Sequence, residues 1–116
     1  NMSRKPNTLD LAKLEAIIID ALDDMKAQDI TVLNTESLTD EFDRVIIASA
    51  TSNRQTRGAA NNVHEKVKEN GGDVLSTEGE DTGEWVLVDC GDIVVHIMQA
   101  QIRAYYNLEE LWDPSR

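Results

Sequence analysis

Cysteine is almost missing from this 116-residue chain. The single one, Cys90, excludes an internal disulfide and any multi-cysteine zinc site, and it fits a reducing compartment. Long hydrophobic runs are missing too. The longest, such as Ala16–Ile19 and Val45–Ala48, fall far short of the roughly 20 residues of a membrane helix. Positive charge is scarce: 11 Lys and Arg stand against 22 Asp and Glu, for a formal net charge of −11. That balance excludes a general nucleic-acid binder, because phosphate neutralisation needs clustered Lys and Arg. It favours a basic partner instead.

What is present suits one folded unit. Hydrophobic residues make up 41% of the chain, enough for a core. The length fits one domain, expected over residues 8–113. Residues 1–7 read as a frayed leader, with Asn1 ahead of Met2 as a tag remnant. Asp10, Lys13 and Glu15 interrupt any signal-peptide pattern after Arg4 and Lys5. The expected compartment is the cytoplasm.

Thr8 is positioned to cap a first helix. Leu14, Ile17, Ile18, Ala21, Leu22 and Met25 recur at helical spacing, and the helix is expected to end near Gln28. Ile30–Leu33 is a short β-branched strand. Val45–Ala48 is apolar without alternation, which suits a central strand buried on both faces. Ser52 and Gln55 form a capping box for a helix that runs to about Asn70 and stops at Gly71-Gly72. Its stripe of Ala59, Ala60, Val63 and Val67 suits close packing on a sheet. Asp73–Thr77 is a candidate strand. Trp85–Val88 and Ile93–Met98 flank Asp89-Cys90-Gly91-Asp92 as a β-hairpin. Ile102–Trp112 is a terminal helix closed by Pro114. The fold class is therefore α/β or α+β, a mixed β-sheet flanked by helices.

No Lys or Arg lies between Glu69 and Ile102, while Glu78, Glu80, Asp81, Glu84, Asp89 and Asp92 all fall there. Trp85, Tyr105, Tyr106 and Trp112 also lie in the C-terminal part. Acidic residues beside large aromatics fit a docking patch for a basic protein, but composition alone favours a solvated acidic surface over core aromatics. Asp89 and Asp92 are the right type to hold Mg²⁺, but no glycine-rich loop or basic phosphate ligand is near, and turn-forming aspartates account for them. His96, in an apolar strand, reads as a packing residue or a partner contact at the sheet rim. His64 reads as solvated. Neither has companions for zinc. Cys90 sits at a hairpin tip with no base to lower its pKa. Ser52 is accounted for by capping. No catalytic set, cofactor site or metal site emerges.

Several stretches in order carry a resemblance: Asp24–Ile30; Asp43–Gln55, ending Ala-Thr-Ser-Asn-Arg-Gln; Glu78-Gly79-Glu80 followed by Trp85; Val88–His96; and Arg103–Trp112. Together they resemble the ribosomal silencing factor family, also called Iojap-like proteins, over about Leu9 to Trp112. Gln101, Ala50 and Arg44 depart from the residues usual in that family, which are Glu, Gly and an aromatic. The resemblance implies a nucleotidyltransferase-like fold without the catalytic set. It implies a translational repressor that binds the large ribosomal subunit through ribosomal protein fourteen, a basic protein of the joining face. Occupying that face blocks subunit association when nutrients run short, and the family also appears in ribosome biogenesis. A homodimer is a further implication. The motif and the chemistry together name Trp85, Asp89, Asp92, His96, Tyr106 and Trp112 as partner contacts or their supports. The alternative is a degenerate nucleotidyltransferase-like protein with residual nucleotide or Mg²⁺ binding near Ser52 and the Asp89–Asp92 turn.

Overall fold

The computed structural model describes residues 9–112, in the order α1 (Leu11–Asp24), β1 (Gln28–Asn34), β2 (Arg44–Ala50), α2 (Asn53–Glu69), β3 (Ser76–Glu78), β4 (Trp85–Asp89), β5 (Ile93–Gln99), α3 (Ala100–Tyr106) and α4 (Leu108–Leu111). The strands form one mixed sheet in the order β1-β2-β5-β4-β3. Only the central pair, β2 and β5, is parallel. These two strands are buried along almost their whole length, as their unbroken apolar runs require.

One face of the sheet carries α1 and α2. Leu14, Ile18, Ala21 and Leu22 from α1 and Ala59, Ala60, Val63 and Val67 from α2 meet Ile46, Ala48, Val86, Val95 and Ile97 in the main core. The small stripe of α2 lets it sit close, and all four of its residues are fully buried.

The cap of α1 is Asp10, whose carboxylate accepts from the Lys13 N–H at 2.8 Å. Thr8, the cap expected from sequence, lies outside the described residues. The helix stops at Asp24, short of Gln28. Lys26 takes a left-handed φ of 61°, and the N–H groups of Lys26 and Ala27 turn back to the carbonyls of Asp23 and Leu22. This is a Schellman ending with lysine where glycine is usual. α2 ends the same way on Gly71, at φ 87°. The capping box at its start is rearranged. Ser52 accepts from the Gln55 N–H at 3.0 Å, but the Gln55 side chain accepts from the Thr51 N–H at 2.6 Å. Its amide also donates to the carbonyls of Met25 and Lys26, joining α2 to the end of α1. The strand expected over Asp73–Thr77 begins later, at Ser76, where pairing with Asp89 sets the register.

Candidate protein-docking site

The tail after β5 decides what the second face of the sheet exposes. The expected single helix over Ile102–Trp112 is two helices, because Asn107 adopts a left-handed φ of 50° between them. The break is held by Arg103, which is 9% exposed. Its guanidinium donates to the Asp29 carbonyl at 2.8 Å, the Ser49 hydroxyl at 2.9 Å and the Thr31 hydroxyl at 2.9 Å. It also pairs with Glu109 at 2.9 Å, across the break. The tail is thereby pinned over β1 and β2. There Ile102, Leu108 and Trp112 pack with Phe42, Leu33 and Trp85 on Val45, Ile47 and Met98.

The β4 side of this face stays open. A groove of about 440 Å³ lies there, between α4, the β4–β5 hairpin and the segments before β2 and β3. Its apolar lining comes from Phe42, Leu75, Leu87, Val94, Leu108, Leu111 and Trp112. Glu41, Glu78 and Asp89 are also in the lining, which has no Lys or Arg among the described residues. Leu75 and Leu111 are 65% and 66% exposed, which is unusual for leucine and leaves apolar area to be covered.

An aromatic ladder begins beside the groove. The rings of His96 and Trp85 are 5.8 Å apart, those of Trp85 and Tyr106 4.9 Å, and those of Tyr106 and Tyr105 5.0 Å. Exposure rises along it, from 8% at His96 to 82% at Tyr105. Phe42 and Trp112 pair edge to face on the groove wall, with centroids 5.3 Å apart. The Trp85 indole N–H donates to His96 Nδ1 at 2.9 Å. Burial lowers the His96 pKa to about 4, so the ring is neutral at pH 7.

Residues 8–116 match the family model described as "Ribosomal silencing factor during starvation". The chain belongs to the ribosomal silencing factor family. It is 46% identical over 104 residues to the ribosomal silencing factor RsfS of Chromobacterium violaceum, covering 90% of this chain and 85% of that one. A crystal structure of a Chromobacterium violaceum protein, also 46% identical, superposes with a TM-score of 0.88 over 90% of this chain and 87% of that chain. A more distant relative is mouse "Mitochondrial assembly of ribosomal large subunit protein 1", 28% identical over 83% of this chain and 43% of that protein. The sheet with flanking helices is thus the fold of the family, and the family is described by its regulation of the ribosome rather than by a reaction.

In this chain, five of the six residues expected to contact a partner converge. Asp89, His96 and Trp112 line the groove, and Trp85 and Tyr106 form the ladder that starts at His96. Asp92 stands apart in the hairpin turn. Its carbonyl accepts from the Asp43 N–H at 2.8 Å, and so fixes the start of β2. Asp89 also has a turn role, accepting from the Gly91 N–H at 2.9 Å. Ser52 and the Asp89–Asp92 turn do not form one site. The parallel register runs from Arg44 opposite Ile93 to Ala50 opposite Gln99, which puts them at opposite ends of β2, roughly 20 Å apart. No group of three or more His, Cys, Asp or Glu suited to a metal occurs among the described residues. No described helix is long and apolar enough to cross a membrane. Cys90 is fully buried, and burial, with Asp89 nearby, raises its thiol pKa to about 12.

Sequence reasoning missed the Arg103 clamp and the groove lining from Glu41, Phe42, Leu75 and Leu111. Phe42 did offer a signal: it is the one aromatic outside the C-terminal part.

Proposed function

We propose that this protein docks on the large ribosomal subunit and represses translation by sterically blocking association with the small subunit. The contact is a basic ribosomal protein of the joining face, which the resemblance names as ribosomal protein fourteen. The observation that carries the proposal is the open apolar groove, whose lining has three carboxylates and no cation among the described residues. Exposed leucine and aromatic surface supplies the buried area of a complex, and the carboxylates select a basic partner and repel phosphate. A net charge of −11 makes protein a better anchor than bare RNA. The mouse relative, whose name places it in assembly of a ribosomal large subunit, supports that subunit as the target.

In this reading Tyr106, Trp85, His96, Asp89 and Trp112 form or back the contact surface, and Asp92 holds the turn that presents Asp89. Residues 8–113 act as the docking unit, in the cytoplasm, and the protein works as a regulator and not as an enzyme. A homodimer sharing this surface competes with docking; light scattering that finds only monomer over a wide concentration range removes that element.

The test is sucrose-gradient sedimentation of purified subunits at a Mg²⁺ concentration that joins them, with and without the protein. The expected result is fewer joined ribosomes, with the protein on the large-subunit peak. Unchanged joining and no co-sedimentation contradict the proposal.

A further inference from the structure

The groove has a polar feature that the acidic lining does not explain. An indole N–H can only donate, so the bond from Trp85 Nε1 requires His96 Nδ1 to be an unprotonated acceptor. The neutral ring then carries its proton on Nε2. Among the described residues that N–H donates to nothing, yet no polar side-chain atom sealed from the surface lacks a partner there. Nε2 therefore reaches the surface, and the surface that His96 lines is the groove.

We propose that His96 is a specificity-determining donor: its Nε2–H, set by Trp85, binds a peptide carbonyl oxygen of a basic segment lying in the groove. This rests on the docking reading above and adds to it the chemistry of the bound atom. Glu41, Glu78 and Asp89 in the lining exclude a carboxylate or phosphate as the acceptor and favour Lys or Arg side chains beside it. Leu87, opposite His96 in the β4–β5 register, and Val94, two residues before it, are apolar neighbours in the lining. A donor among apolar walls discriminates strongly, because an unmatched polar group loses its water without compensation.

Two substitutions separate the ring's two nitrogens. His96→Asn keeps an oxygen that can accept near Nδ1 and removes the donor at Nε2. His96→Gln places an amide N–H near Nε2 and loses the acceptor for Trp85. The probe is purified large ribosomal subunits, with binding followed by co-sedimentation across a protein titration. The expected result is binding about five- to ten-fold weaker for His96→Asn, the worth of one neutral hydrogen bond, and recovery to within about three-fold for His96→Gln. Nitrogen-15 chemical shifts of the unmutated protein give the tautomer directly, without depending on how either variant folds, and are expected to place the proton on Nε2. Equal binding by His96→Asn and the unmutated protein overturns the inference, as does a proton on Nδ1; in both cases the docking reading stands. Failure of the unmutated protein to bind large subunits removes the docking reading and this inference with it.

Discussion

Arg103 in the tail donates to the Asp29 carbonyl in β1 at 2.8 Å, although 74 residues separate them. Asp29 itself has a left-handed φ of 50°, beside an irregularity in the β1–β2 register between Gln28 and Thr31. The deviation in β1 turns a carbonyl toward the guanidinium, and the guanidinium fixes where α3 ends. Tyr105 and Tyr106 lie in the last turn of α3, so the exposed end of the ladder depends on a contact far from it in sequence.

Arg103→Lys tests that dependence. A lysine keeps the charge but cannot reach Asp29, Thr31, Ser49 and Glu109 together. The expected loss is about 2 kcal/mol or more, a fall in Tm on the order of 10 °C. Thermal unfolding followed by circular dichroism measures it. A Tm within about 2 °C of the unmutated protein contradicts the clamp.

His96 gives the fold a pH dependence of definite sign. Its pKa is lowered in the folded state from 6.5 to about 4, so the unfolded chain binds the proton first as pH falls. The stabilisation is complete above pH 6.5 and is lost between 6.5 and about 4, and amounts to about 3 kcal/mol. Urea unfolding at pH 7.5 and pH 4.5 is expected to show a larger drop for the unmutated protein than for His96→Asn, the carboxylates being common to both. Equal drops contradict the burial of a neutral imidazole.

Cys90 is expected to be inert. A fully buried thiol with its pKa raised to about 12 presents almost no thiolate at pH 8. Iodoacetamide should leave it unmodified in native buffer over hours and modify it fully in 6 M guanidinium. Rapid native labelling contradicts its place beneath the hairpin turn.

The sheet was legible because its central strands are uninterrupted apolar runs and its hairpin is marked by Gly91; both signals are local. The end of α1 was not, since nothing in the identity of Lys26 announces a left-handed residue. The kink at Asn107 was hidden for a related reason. Ile102, Leu108 and Leu111 keep a spacing that continues a helix, and the break is paid for by Arg103, whose partners come from β1 and β2. Within the candidate site, the acidic and aromatic bias located Trp85, Asp89, His96, Tyr106 and Trp112. The groove wall could not be found that way. Phe42 and Leu75 precede separate strands and Leu111 lies in the tail, and only the sheet order brings them to one place.

The central claim is that the acidic groove is the docking surface, not merely that the protein is acidic. The most direct measurement compares Glu41→Lys/Glu78→Lys in the groove with Asp20→Lys/Asp23→Lys on α1, across the sheet, in large-subunit co-sedimentation. Both pairs change the net charge equally, and all four side chains are exposed. The account predicts at least about ten-fold weaker binding for the groove pair and a change within about two-fold for the α1 pair. Equal weakening by both pairs, or none by the groove pair, contradicts it.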